Sequence, residues 1–500
     1  MKLLLLLLLP VAVVSAEEAM PAKVSLSITN AGTAAVLQSN PPASTPPQPT
    51  AIAVHVEDPK TNRVLPPAFL GLSYESSMLL PRDGKHYFDA TNVPLVTLFK
   101  TLGIRNLRVG ANAVDDPTVP VPDEKDIDAL FGFAKAAGVK VIYSFRLKNG
   151  SPSSSAKLAK YIDDNYGDLL EAFAIGNEPD MFEQIKNERY GIFFTLWKPH
   201  YDAILKSVPH AQIEGPSVAG KVSFATNLAK DLGDSGHLPM ASTHYYVFGS
   251  GRNAEKDPEG TRDRFLSESN PAQYAKLYDA AAKPLAQLGV SYRIDEMNSC
   301  YNGGAKGASD TFASSLWSLD WDHWWAAHGI LGLNYHTGES VGMNGGFHAP
   351  NYASFVYRSD GEGFDVHPIA YSHLAFSQGA KGCILSTRID GKANVTAYAY
   401  QDGNSYLITI INKSHGPQNE LVLVSINLPQ NTGPGSWERL DLIQKTGDIA
   451  AKSDIILGDS LISPDGAWKG SWQPIAGATS GTISITVQPA SATILRFTKQ

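Results

Sequence analysis

Two cysteines in 500 residues, Cys300 and Cys383, exclude a fold stapled by disulfides, and nothing local pairs them. Positive charge is also in deficit, with 41 Lys and Arg against 49 Asp and Glu, a net charge of −8. That balance excludes nucleic acid or a long polyanion held by charge alone, though not a single anionic group held by a few donors. Beyond the N-terminus no apolar run approaches the roughly 20 residues of a membrane span, so no membrane partner is expected. The histidines lack a metal-binding spacing such as HExxH, and no glycine-rich phosphate loop occurs, so neither a metal nor another cofactor is expected.

What is present begins with MKLLLLLLLPVAVVSA, a basic residue, a short apolar run and small residues before Ala16. Residues 1–16 read as a signal peptide and imply a secreted or periplasmic protein. Residues 17–50 contain QSNPPASTPPQPT, too polar and proline-rich to bury much surface, and read as a linker or disordered segment. Five hundred residues exceed one ordinary core, so two domains are expected.

From 64 to 380 short apolar strands alternate with amphipathic helices, beginning with AFLGLSYE and VPLVTLFKTLG and ending with ILGLNYHTG and PIAYSHLAFSQ. Eight such units predict an α/β fold, a (β/α)8 TIM barrel. An insertion over 338–366 separates the last strand from its helix and would narrow the mouth of the barrel. From 381 to 500 the period changes to two, in ANVTAYAYQ, SYLITIINK and ELVLVSINL, which predicts a C-terminal antiparallel β-sandwich of about seven or eight strands. The early stretch 51–63, with AIAVHVEDP, is expected to add a strand to that sandwich.

Barrel enzymes carry their chemistry where strands end. Glu178, in AIGNEPD, ends the fourth barrel strand, and Glu296, in RIDEMNS, ends the seventh, on the opposite side of the barrel. Two carboxylates flanking one pocket suit glycosidic cleavage, where one protonates the leaving oxygen and the other attacks the sugar carbon. His244 and Tyr246, alternating in STHYYVF, point inward together, and Tyr246 is within reach of the second carboxylate. Arg108 ends the second strand and could orient carboxylates at the pocket floor, while strand alternation should turn Asp295 away from it. Trp317, Trp321, Trp324 and Trp325 have helical spacing and read as packing between barrel and sandwich.

AIGNEPD and RIDEMNS together resemble the retaining glycoside hydrolases of the (β/α)8 clan. Tyr301 with Gly303-Gly304, NYH at 334–336 and PIAY at 368–371 narrow the resemblance to glycoside hydrolase family 79, the β-glucuronidase and heparanase family. The resemblance spans about 64–500. It implies Glu178 as acid/base, Glu296 as nucleophile, and Asn177 as a donor to the sugar 2-hydroxyl. It further implies that Glu75 binds sugar hydroxyls, and that Tyr301, Gly303 and Tyr371 hold the sugar carboxylate through neutral donors. The expected activity is that of an exo-β-glucuronidase, whose partner is a glycan ending in glucuronic acid. Alternatives are an endo-acting heparanase-like hydrolase, a neutral-sugar glycosidase of the same clan, and a carbohydrate-binding protein without activity.

Overall fold

The computed structural model describes residues 49–58, 63–187, 189–338, 340–341 and 347–500. The segment read as a signal peptide and the Pro/Ser-rich segment up to residue 48 lie outside them. A first strand, β1 (Thr50–Val56), precedes eight parallel strands: β2 (Leu70–Glu75), β3 (Asn106–Gly110), β4 (Lys140–Phe145), β5 (Leu170–Ile175), β6 (Glu214–Val218), β7 (Met240–Tyr246), β8 (Ser291–Asn298) and β9 (Gly332–His336). Their sheet runs β5-β4-β3-β2-β9-β8-β7-β6. A bridge between Phe173 and Ile213 and the bond from the Glu178 N–H to the Ser217 carbonyl (2.8 Å) join its two ends into a barrel. Helices cover one face of these strands and the barrel interior the other, so nearly every strand residue is buried, the polar ones included.

Local sequence sets where each helix begins and ends. The helix Glu124–Ala137 starts at a capping box in which Asp123 and Asp126 each accept the other's backbone N–H. It buries Ile127, Leu130, Phe131, Phe133 and Ala134, and stops at Gly138, whose φ of 75° is left-handed. The helical segment before β8, Asn270–Gln287, is interrupted by a π turn at Tyr278–Ala282. Pro284 follows directly; it has no N–H to donate to the preceding turn, and the wider turn absorbs the loss.

After the helix Pro368–Gly379 the chain becomes a two-sheet sandwich. One sheet places β1 between Thr387–Asp390 and Val422–Asn427, with Thr482–Val487 at its far edge; β1 pairs antiparallel with the first and parallel with the second. The other sheet is antiparallel and centred on Ser405–Asn412, Ser491–Lys499 and Gly435–Gln444. Ile52, Val54, Val424, Ile426, Ile408, Trp437 and Phe497 fill the space between the sheets. Short strands such as Ile455–Leu457 and Gln473–Pro474, too brief to show a period, extend the second sheet beyond what the pattern reveals.

The four tryptophans lie on the helix Phe312–His328, all buried. They pack within the barrel rather than against the sandwich: Trp317 on Phe265 (5.7 Å between ring centroids), Trp321 on Tyr274 (4.7 Å) and Trp325 on Tyr292 (6.2 Å). The sandwich is met by the opposite face of that helix. There Asp320 receives the Lys413 ammonium (2.9 Å), the Thr396 hydroxyl (2.6 Å) and the Tyr398 hydroxyl (2.8 Å), and His323 stacks on Tyr398. Asp320 and Lys413 are each 1% exposed, so losing one leaves the other charged in a dry interface. Lys413→Met is expected to destabilise the protein by about 3–5 kcal/mol, read as a lower midpoint in urea unfolding. An unchanged midpoint would show that the two hydroxyls alone suffice for Asp320. Cys300 is buried and Cys383 partly so, both as free thiols.

Candidate active site

The C-terminal ends of the barrel strands surround a cavity of about 890 Å³, and Glu75, Glu178, Tyr246, Glu296, Tyr301 and Gly303 are all in its wall. The chain leaves β5 through Gly176, at φ 81°, where a Cβ would meet the Leu147 side chain at 2.7 Å. Asp115 fixes this corner by accepting the N–H groups of Leu147, Lys148 and Asn177, each within 2.8 Å. Glu178 itself has φ 45°, an unfavourable value for a residue with a Cβ, held by the bond from its N–H to Ser217. Strain of this kind concentrates where a side chain must be aimed. The Glu178 carboxylate is partly open to the cavity and lies 2.9 Å from Nδ1 of His244.

Across the barrel, β8 pairs with β7 through Thr243–Ile294 and then His244–Glu296, skipping Asp295. This bulge overturns the alternation expected from sequence: Asp295 and Glu296 both point inward. Glu296 accepts from Arg108 Nη1 at 2.7 Å on one oxygen and from the Tyr246 hydroxyl at 2.9 Å on the other. Arg108, fully buried, also donates to the Ser73 hydroxyl and to Oδ1 of Asn177. Burial alone would raise the Glu296 pKa, but His244, His336 and Arg108 and the Tyr246 hydroxyl together pull it down to about 2. Its carboxylate therefore stabilises the fold above the unfolded-state value near 4.3, and that contribution is lost as pH falls through about 2. A kcat/KM profile should show no acid limb belonging to Glu296 until about pH 2; Tyr246→Phe, which removes one stabilising hydroxyl, should bring that limb to higher pH. For His244, burial opposes the charged ring, but Glu296 and Asp295 more than offset it and raise its pKa well above the ordinary value.

Glu75 accepts the Ala113 N–H (2.7 Å), and its other oxygen lies 3.8 Å from His336. Burial raises its pKa, with His336 opposing. An oxygen of Glu178, an oxygen of Glu296 and a His244 ring nitrogen all fall within 4.8 Å of one another. A histidine held in its charged form between carboxylates has no lone pair to offer a cation, so the trio suits proton chemistry better than metal binding.

Other expected residues stand differently. Asn177 is 3% exposed and lies behind the wall, its Nδ2 making a long 3.3 Å bond to Asn112, which does face the cavity. The Tyr301 N–H is spent on the Gly249 carbonyl (2.9 Å), so only its hydroxyl, on a half-exposed ring, remains for a ligand. Gly303 and Gly304, at φ 80° and 77°, turn the loop, and the Gly303 carbonyl accepts the Asn351 N–H. Tyr371 does not reach the cavity: it lies on the helix face toward the sandwich, and its hydroxyl accepts the Ile462 N–H at 3.1 Å. The tyrosine that occupies the far wall is Tyr352, tilted against Tyr246 at 6.2 Å and edge-on to His336 at 6.0 Å. It belongs to the insertion after β9, which has no period to betray an inward side chain. Its local sequence, NYASF, carries no motif that singles it out. His336, on β9 and 3.8 Å from both Glu75 and Glu296, was visible in NYH but was given no role.

No family model matches the chain. A β-glucuronidase of Aspergillus niger is 26% identical over 230 residues, 41% of either chain, and a β-glucuronidase of Neurospora crassa is 25% identical over 202 residues, 34% of either. The matches thus span about two fifths or less of these relatives' length. Among solved structures, a 4-O-α-L-rhamnosyl-β-D-glucuronidase of Fusarium oxysporum, in complex with Rha-GlcA, superposes over 89% of this chain and 99% of its own with a TM-score of 0.64 at 18% identity. A family 51 arabinofuranosidase of Xanthomonas axonopodis covers 90% and 100% with a TM-score of 0.65 at 12% identity. At such identities the structures speak for the fold. No helix among the described residues is long and apolar enough to cross a membrane. The chain has the barrel-and-sandwich fold of these glycosidases, and over about two fifths of its length it is similar in sequence to β-glucuronidases.

Proposed function

We propose that the protein is a retaining exo-β-glucuronidase. The observation that carries this reading is the pair Glu178 and Glu296, whose oxygens approach within 4.8 Å across one cavity. Retaining glycosidases hold their carboxyl groups about 5–5.5 Å apart, whereas inverting ones leave roughly 6.5–9.5 Å for a water. Glu296, anionic and aimed by Arg108 and Tyr246, attacks the anomeric carbon. Glu178 gives its proton to the departing oxygen and then takes one from the water that releases the sugar. Asn177, its Oδ1 held by Arg108 and its Nδ2 spent only on a long 3.3 Å bond to Asn112, is the amide donor for the sugar 2-hydroxyl, an interaction that strengthens as positive charge builds on the ring. Glu75 accepts from hydroxyls on the opposite side.

Selection of a uronic acid falls to the loop 301–304 and to Tyr352. A carboxylate that leaves water must find donors or be penalised. Among the described residues the N–H groups of Asn302 and Gly303 have no protein acceptor, and the Tyr301 hydroxyl stands beside them. No Lys or Arg lines the cavity among the described residues, which fits one carboxylate on neutral donors and disfavours a polyanionic chain threading through. Ala349, Pro350, Asn351 and Tyr352, from the insertion after β9, form part of the cavity wall, as an end-on pocket requires. p-Nitrophenyl β-D-glucuronide should be cleaved at least about 100-fold better than the glucoside, roughly 2.7 kcal/mol of discrimination. Tyr301→Phe and Tyr352→Phe should narrow that ratio and spare the residual glucoside rate; Tyr371→Phe should not change it. Equal cleavage of both glycosides would transfer the reading to a neutral sugar. Proton NMR of the first-formed anomer tests retention.

A further inference from the structure

Beneath the two glutamates lies a third carboxyl group that the reaction does not use. Glu214 opens β6, is fully buried, and neither of its oxygens accepts a hydrogen bond from any described residue. Asp295, the residue that the β8 bulge turns inward, is equally buried and has one satisfied oxygen, which accepts from the Ser217 hydroxyl at 2.7 Å; its other oxygen has no donor. The two side chains interact directly. Three acceptor oxygens thus share a dry space in which no described donor hydrogen-bonds them, an arrangement that costs several kcal/mol if both groups are ionised.

We propose that Glu214 is a positioning residue of the catalytic centre, carried as the neutral acid and donating its proton to the Asp295 carboxylate, which in turn fixes His244 against Glu178. One shared proton satisfies an oxygen of each partner. It leaves Asp295 as the anion that Arg108 Nε (3.8 Å) and His244 Nε2 (3.7 Å) face. His244, held on that side, presents Nδ1 to Glu178 at 2.9 Å. The acid/base carboxylate is therefore aimed from below by a chain running Glu214, Asp295, His244, Glu178. The charged groups facing Glu214 are Arg108 on β3 and Arg293 and Asp295 on β8. Arg293 gives Nη1 to Asn334 (2.8 Å) and Nη2 to the Ala68 carbonyl (2.9 Å), and its Nε bonds neither Glu214 oxygen. Burial, then Asp295, pushes the Glu214 pKa well above its ordinary value, while the neighbouring carboxylate stays ionised.

The aiming of Glu178 rests on the acid/base reading above; the protonation of Glu214 does not. Infrared difference spectroscopy of the unliganded protein against Glu214→Gln reads that proton without any substrate. A protonated carboxylic acid band, present at neutral pH and absent in Glu214→Gln, is expected; its absence would overturn the proposal. Activity on whichever aryl glycoside is cleaved supplies the second arm. Glu214→Gln, neutral and still a donor, should keep both rate and pH profile. Glu214→Leu should lower kcat by roughly tenfold to a hundredfold through misaimed Glu178. Because Asp295 then loses a donor that shared its negative charge, it holds the proton of His244 more tightly, and a basic limb belonging to His244 should move to higher pH by about one unit. If Glu214 were instead the anion, Glu214→Gln would remove a negative charge near His244 and itself shift the basic limb downward, which would sink the proposal.

Discussion

Glu296→Ala is expected to lower kcat at least about 10⁵-fold, a loss of roughly 7 kcal/mol in transition-state stabilisation. Nothing else in the cavity can take its place. Glu75 is a carboxylate in the same wall, but it is bound to the Ala113 N–H and pushed toward its neutral form by burial. Loss of the nucleophile removes the covalent intermediate itself, so the loss should be the same whatever the leaving group. The removal also strands Arg108, which gives Glu296 its shortest bond (2.7 Å). Glu296→Gln is the cleaner variant, since its amide oxygen can still accept from the guanidinium. A residual rate above about a thousandth of wild type in Glu296→Gln, surviving repurification, would remove Glu296 from the nucleophile's role.

Glu178→Ala should instead discriminate among substrates. For an alkyl or sugar leaving group, which departs only with a proton, kcat/KM should fall by about 10³–10⁴-fold; for 2,4-dinitrophenyl glucuronide the first step should barely change. The second step then becomes slow, because no base activates water, and a glycosyl-enzyme should accumulate with a burst of dinitrophenol. Azide needs no base, so it should restore turnover and yield the β-glucuronyl azide, the stereochemistry required of two inversions. The cavity is wide enough: Glu178 is partly open, and removing its side chain enlarges the space beside His244. Equal losses for every leaving group, or an α-azide, would contradict the roles given to both glutamates.

Much of the barrel was legible because parallel strands buried on both faces are mostly apolar, as VIYSF and AFAI are; YRIDEM departs from that pattern with Arg293, Asp295 and Glu296, all buried in the folded chain. The positions of Glu178 and Glu296 followed from strand ends alone. Asp295 was not legible: alternation assumes an unbroken ladder, and one skipped residue in β8 reverses the facing of its neighbours. Tyr371 and Tyr352 exchanged places for a related reason. A helical tyrosine advertises itself through its period, yet its hydroxyl went to the Ile462 N–H across the interface. Tyr352 sits in an insertion where only the folded chain says which side faces in. Glu214 gave no signal, because a lone acid in EGPSV is indistinguishable from a surface one until its burial is seen.

The placement of β1 has a consequence for how the chain is made. Thr50 pairs alongside Val422, and its hydroxyl reaches Glu420, about 370 residues away in the chain. At ribosomal speeds of about 5–20 residues per second, the strand waits roughly 20–70 s between its own synthesis and that of its parallel neighbour. Throughout that interval the whole barrel can be completed, while Ile52, Val54 and Val56 have no sheet to enter. An unpaired apolar edge that persists for so long is the segment a holding chaperone would grip, and the segment through which newborn copies would cling to one another if none did. Closure of the sandwich, and not of the barrel, is then the last event in its birth, and a strand made before any of the barrel is among the last to find its place.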